Sequence, residues 1–344
     1  MPPLVIACGD YAGIGPEVTL KAVAAERANP HLSGVVLVGE VAGLERLRSQ
    51  LNLDLVWSSY PDSGPDTRGH SRPEGPRPPT GCPVWILDVS PLVPPANALT
   101  SPAHNSALAA LGYLRRAAAG CLRGEFAGLV TAPVSKEAIL RSGVKFVGQT
   151  EFLAELAGVQ DVTMMLLGDD DHGRWLRVAL VTTHLPLRDV ADSITTSDVT
   201  RAIRHATDAC RKLGLSRSRI GVAGLNPHAG EGGMLGDEEI RVIRPGIEAA
   251  RGFGIDVQGP IPGDTLFHSA HRGDFDAVVA MYHDQGLAPL KLIAFDRGVN
   301  WSLGLPFART SPDHGTAFDI AGQGIADPSS MRAAIRLACQ LAPH

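Results

Sequence analysis

The sequence predicts an α/β protein with a largely parallel sheet. Three observations carry this: short runs rich in Val, Ile and Leu, longer amphipathic stretches alternating with them, and capping residues where several of those stretches begin. Taken in order, the strand candidates are residues 4–8, 34–38, 84–87, 128–131, 176–182, 220–224 and 277–281. Each is short and apolar enough to be buried on both faces, as strands of a parallel sheet are. Between them lie helix candidates at 16–26, 105–122, 197–213, 237–250 and 330–341. Pro16 suits a first helical position, and Ser197 reads as a cap. The proline-rich stretch 58–83 breaks the rhythm and reads as an exposed surface loop.

Composition bounds the function. A chain of 344 residues predicts about two domains, and 44% hydrophobic against 19% charged residues is a globular balance. The net charge of −5, without a basic block, gives no nucleic-acid footprint. No apolar run reaches the roughly 18 residues of a membrane helix, so the expectation is a soluble, cytoplasmic protein without a membrane partner. Five scattered cysteines fit neither a disulfide framework nor CxxC metal spacing and read as reduced thiols.

Several segments carry chemistry. The first strand runs into Gly9-Asp-Tyr-Ala-Gly13-Ile-Gly15-Pro-Glu17, which matches neither the P-loop nor the dinucleotide fingerprint. Its glycines suit either backbone approach to a phosphate or a tight turn feeding a helix. His184, His228 and His283 each follow a strand candidate, at the sheet edge where open parallel sheets bind ligands. Three neutral imidazoles suit a divalent ion such as Zn²⁺ or Co²⁺ with an open position. His268 and His271 read as solvated surface, whereas His314 stands in an aperiodic polar loop of the kind that binds ligands.

Lysine is scarce: there are five, against 26 arginines. Lys291, among apolar neighbours, is either a binding or proton-transfer cation or a snorkelling surface residue. Asn300 and Arg309 follow it and supply what an anionic, hydroxylated substrate requires. Gly148-Gln149-Thr150-Glu151 reads as a helix entry with Thr150 the cap, where donors also meet anions.

Together these segments resemble the 4-hydroxythreonine-4-phosphate dehydrogenase family of vitamin B6 biosynthesis. The segments GDYAGIGPE (9–17), LVTAPVSK (129–136), GQTEFLAELAG (148–158), VTTHLPL (181–187), NPHAGEGG (226–233), GDTLF (263–267), MYHDQGLAPLK (281–291) and VNWSLGLPFARTSPDHGTAFDIAG (299–322) carry the likeness. The resemblance implies a two-lobed fold like the isocitrate and isopropylmalate dehydrogenases. One lobe is then residues 1–140 plus 299–344 and the other 141–298. It also implies a homodimer with shared active sites. The implied reaction is NAD- or NADP-dependent, divalent-metal-dependent (Zn, Mg or Co) oxidation and decarboxylation of 4-hydroxythreonine 4-phosphate to 3-amino-2-oxopropyl phosphate. By motif, His184, His228 and His283 hold the metal, and Gln149, Thr150, Lys291, Asn300 and Arg309 contact substrate. Lys291 and Asp264 stand nearest the chemistry, and the resemblance places no nicotinamide contacts.

Two positions depart from the family pattern: Tyr11 replaces Pro in GDPAGIGPE, and Gln149 replaces His in GHTE. Gln keeps a hydrogen bond but not the charge of a protonated imidazole. Gln149 therefore points to another phosphorylated hydroxy acid (threonate or erythronate 4-phosphate) as the alternative; the family also has a branch acting on a dihydrodiol, over which VNWSLGLPFARTS favours a phosphorylated acyclic substrate. Metal-dependent phosphate-ester hydrolysis is the remote alternative.

Overall fold

The structure, a computed structural model, describes residues 1–61, 81–89 and 102–343. The chain forms two compact units, Met1–Gln160 with Leu305–His344, and Asp161–Gly304. These divide later than the borders at 140 and 298 expected from sequence, because the helix over 149–157 packs on the long helix of the first unit, and the strand over 299–303 pairs within the second.

The first unit holds β1 (Leu4–Ala7), β2 (Val35–Val38), β3 (Ser58–Ser59), β4 (Val84–Leu87), β5 (Leu129–Thr131) and β12 (Arg309–Pro312), in the order β3-β4-β2-β1-β5-β12. The pairs β3–β4, β4–β2, β2–β1, β1–β5 and β5–β12 are parallel. β1, β2, β4 and β5 are buried at every position, which is why they read as continuous apolar runs. Around them run α1 (Gly15–Glu26), α2 (Val41–Gln50), α3 (Pro102–Leu122), α4 (Lys136–Arg141), α5 (Gln149–Ala157) and α11 (Ser329–Leu341). Of the stretch expected as a loop, 58–83, residues 62–80 lie outside the described residues, while Ser58 and Ser59 form the short edge strand β3.

The second unit holds β6 (Thr163–Asp169), β7 (Trp175–Leu180), β8 (Ile220–Ala223), β9 (Val257–Ile261), β10 (Ala277–Ala280) and β11 (Val299–Leu303), in the order β11-β6-β7-β10-β8-β9. β7, β10, β8 and β9 are parallel, but β11–β6 and β6–β7 are antiparallel, so the sheet is mixed rather than uniformly parallel here. The core of this unit joins Leu166, Val178, Leu180, Val278 and Ala280 of the strands to Leu266, Leu287 and Leu290 of two helices.

The helices of this unit are α6 (Leu187–Ser193), α7 (Thr196–Lys212), α8 (Arg244–Gly252), α9 (Gly263–His271) and α10 (His283–Ala294). Two local expectations are corrected. Thr195 rather than Ser197 caps α7, accepting from the Asp198 N–H at 3.1 Å. The helix expected over 237–250 is a π-helical turn, Glu239–Ile243, followed by α8. All five cysteines are free and buried.

Candidate active site

The glycine-rich loop after β1 is a packed turn. A Cβ on Gly9 would stand 2.5 Å from the Pro133 carbonyl oxygen, one on Gly13 2.6 Å from that of Thr316, and one on Gly15 2.8 Å from that of Cys8. These glycines let backbone meet backbone and feed α1, so the tight-turn reading accounts for them. Asp10, buried, accepts from the Ala12 N–H at 2.9 Å and the Ser106 hydroxyl at 2.5 Å, which fixes the turn. Tyr11 closes it from the other side: its hydroxyl donates to the Glu40 carbonyl at 2.9 Å, and its ring meets Tyr113 edge-on. Gly39 and Gly43 leave room for that ring.

Also in the first unit, Arg309 opens β12 and is only 3% exposed. Its Nε and Nη2 donate to Thr131 Oγ1 at 3.1 and 2.7 Å, Nη2 also to Gln149 Oε1 at 3.0 Å, and Nη1 to Thr150 Oγ1 at 3.4 Å. Burial lowers its pKa to about 10, opposed by the Glu151 carboxylate, so it stays charged at neutral pH. Gln149 and Thr150 are the first two residues of α5, and Gly148, not Thr150, is its N-cap. Gln149 Nε2 donates to the Ala132 carbonyl at 3.1 Å, so its amide bridges the β5 edge and the guanidinium. A fixed cation beside a helix N-terminus has the chemistry to receive an anion. Thr131 escaped the sequence reading because a strand-end Thr carries no local signal.

In the second unit, His184, His228 and His283 all follow strands, after β7, β8 and β10. His283 is the first residue of α10, and Gly286 lets that helix press on the sheet, since a Cβ there would lie 2.7 Å from Val178. The His184 and His283 rings stand 5.5 Å apart, near the roughly 5 Å that two imidazoles on one tetrahedral ion require. Nδ1 of His283 bonds the Asp284 carboxylate at 2.8 Å, and Nδ1 of His228 bonds Glu231 at 2.9 Å. A carboxylate on one nitrogen, leaving Nε2 open, is the usual environment of a metal-binding imidazole, so the donors fit a divalent ion. Among the described residues, however, no three His, Cys, Asp or Glu side chains of the one chain come together as a metal group. The structure pairs His184 with His283 and leaves His228 on an exposed loop.

That loop has unusual backbone. His228 to Glu231 and Gly232 all have positive φ, between 46° and 80°. For His228, Ala229 and Glu231 this costs about 1–2 kcal/mol each, so neighbouring contacts must hold it. A cavity of about 660 Å³ beside it is lined by His228, Asp264, Tyr282, Asp284 and Gln285, among others. Gln285 ties its two sides together, accepting from the Met281 N–H at 2.7 Å and donating to the Gly224 carbonyl at 2.6 Å. Sequence reading had the HDQG string but no role for this Gln. Asp264, exposed in the first turn of α9, faces this cavity. Lys291 lies half-buried on α10 with its Nζ 5.5 Å from the Phe295 ring centre. Asn300 lies on β11 with its Oδ1 buried and unpartnered.

A family model described as pyridoxal phosphate biosynthetic protein PdxA matches residues 34–338. The chain belongs to the PdxA family. A 4-hydroxythreonine-4-phosphate dehydrogenase of Chromobacterium violaceum is 46% identical over 100% of this chain and 98% of that protein. The crystal structure of 4-hydroxythreonine-4-phosphate dehydrogenase from Klebsiella pneumoniae is similar over the whole of both chains, with TM-score 0.80 and 38% identity. A terephthalate 1,2-cis-dihydrodiol dehydrogenase from Burkholderia xenovorans LB400 is similar at TM-score 0.65 and 30% identity, over 98% of each chain. Within this PdxA chain, the two departures noted in the sequence are built into the fold: Tyr11 into the turn after β1, and Gln149 into the Arg309 cluster.

Proposed function

We propose that this chain is the NAD(P)-dependent oxidoreductase that oxidises and decarboxylates 4-hydroxythreonine 4-phosphate in pyridoxal phosphate biosynthesis, as a cytoplasmic homodimer of isopropylmalate-dehydrogenase-like subunits. The observation that supports it is the buried Arg309 guanidinium at the N-terminus of α5 in a PdxA chain, a fixed charge suited to an anionic substrate. Arg309, with Thr131, Thr150 and the Gln149 amide, binds and orients the phosphate. When bound, a divalent ion would supply Lewis acidity at the substrate hydroxyl, and NAD(P) would supply the hydride acceptor. His184, His228 and His283 hold that ion. Since one chain pairs two of these imidazoles and presents the third on an exposed loop, two copies of the chain complete the set between them. Asn300 contacts the substrate, and Lys291 and Asp264 hold or move protons at its carboxylate end.

The test is absorbance at 340 nm with purified protein, a divalent metal and NAD or NADP. The substrates are 4-hydroxythreonine 4-phosphate, threonate and erythronate 4-phosphates, and a cyclohexadiene dihydrodiol. Metal-dependent reduction with the first supports the reading. Turnover of a sugar-acid phosphate alone supports the second, which Gln149 favours because a neutral amide stands where the family pattern has His. Phosphate release without nicotinamide reduction overturns both.

A further inference from the structure

We propose that Glu239 is a positioning residue that holds His228 in place from beneath. The proposal rests on the reading of His228 as a metal ligand. Glu239 opens the π-helical turn and is 1% exposed. A carboxylate that far from water needs donors, and its donors all come from the loop that follows β8. Oε1 accepts from the Leu225 N–H at 2.8 Å and the Asn226 N–H at 2.7 Å, and Oε2 accepts from Asn226 Nδ2 at 3.0 Å. The Asn226 amide is fixed further by Glu238 at 2.7 Å.

The loop is shaped around this carboxylate. A Cβ on Gly224 would lie 3.1 Å from its Oε1, and one on Gly230 2.7 Å from its Oε2. Gly224 and Gly230 thus bracket the segment that carries His228, and each makes room for the same buried group. Glu239 does not line the cavity, whereas Leu225, Asn226 and His228 do, so it acts through the backbone. Two consecutive amides pinned at 225 and 226 set the direction in which Pro227 launches the left-handed turn. That turn points the His228 ring outward, 70% exposed, with Glu231 on Nδ1. A π-helical turn is a common mark of a functional position, and here it places a carboxylate under a ligand loop.

The experiment uses the full chain and Co²⁺ alone as probe, with Glu239→Gln, Glu239→Ala and His228→Ala. Co²⁺ affinity is read by titration, amide hydrogen exchange is read across 225–233, and thermal unfolding is read without metal. Glu239→Ala is expected to weaken Co²⁺ binding roughly 10- to 100-fold and to speed exchange within 225–233 while strand β10 stays protected. Glu239→Gln, which keeps an oxygen for the two backbone amides, is expected to lose less. If Glu239→Ala does not fold, the Gln variant decides. Wild-type affinity in a folded Glu239 variant, with affinity lost in His228→Ala, overturns the positioning role and leaves the ligand reading intact. Wild-type affinity in His228→Ala overturns the ligand reading and this proposal with it. Faster exchange throughout the second unit, with affinity falling only in step with global stability, makes Glu239 merely structural and also overturns the proposal.

Discussion

At the scale of single residues, Arg309 shows how burial and charge oppose each other. Its folded pKa of about 10 lies below the ordinary guanidinium range because burial disfavours the charge, so above that value the unfolded chain still holds the proton that the folded one has lost. Burying this cation therefore costs stability below pH 10, and the cost is relieved as pH rises through that value. The site keeps its charge at physiological pH, and affinity for a phosphorylated substrate should stay flat through neutrality and fall as pH approaches 10. Arg309→Lys replaces a planar fork by a point charge that cannot serve Thr131, Gln149 and an anion together. Its KM should rise roughly 10- to 100-fold, the equivalent of about 1.5–3 kcal/mol, with kcat changed less. An unchanged KM in steady-state assays would remove Arg309 from the substrate site. Tyr11 behaves differently. Burial pushes its hydroxyl far above the usual range, so it stays a donor to Glu40, and Tyr11→Phe should cost about 1 kcal/mol in unfolding experiments with activity retained.

At the scale of elements, the sequence pattern found the strands written as short, β-branched apolar runs and missed those written otherwise. β1, β2, β4, β8 and β10 are short, uniformly buried runs, and all stand where the apolar pattern puts them. β9 and β12 escaped because VQGPI and RTSP carry Gly, Pro and polar residues inside the pairing, and β11 because Asn300 and Ser302 interrupt its apolar run. β6 escaped because Met-Met-Leu-Leu reads equally as helix, and the hairpin with β7 is decided by the turn. In that turn Asp170 Oδ1 accepts from the His172 and Arg174 N–H groups, both at 2.9 Å, and Oδ2 takes the Arg174 Nε at 2.8 Å. Burial pushes the carboxyl up, but the Arg174 backbone N–H, its guanidinium and the His172 N–H outweigh this and hold the pKa at about 2. A carboxylate depressed from 3.8 stabilises the fold fully above that value and loses its contribution as pH falls to about 2. Asp170→Asn should therefore be less stable than wild type at neutral pH, with the gap narrowing over that acid range. A gap independent of pH in thermal melts would show that the turn depends on shape rather than charge.

At the scale of the whole molecule, the metal reading makes a prediction about pairs of chains. If His184 and His283 come from one copy and His228 from another, His228→Ala and His283→Ala homodimers are each inactive. Mixed together, they form heterodimers with one complete set and one empty one. Random reassortment should restore roughly one quarter of wild-type turnover. No recovery, with heterodimers verified by tagging, would place His228 and His283 of each set in the same chain.

The sequence by itself determined the class of the fold and the roll of candidate residues, because buried strands and reactive side chains are written in residue type and spacing. It put three histidines after three strands, and the structure has them there. Tertiary structure alone decided which of them meet, that Thr131, Thr150 and Gln149 converge on Arg309, and that glycines after β1 serve packing. It alone showed Glu239 under the His228 loop and Gln285 between two loops. The physical reason is that such roles arise from hydrogen bonds between segments distant in the chain. For Glu239 and Gln285 the partners are backbone amides and carbonyls, which almost every residue carries and no residue type announces.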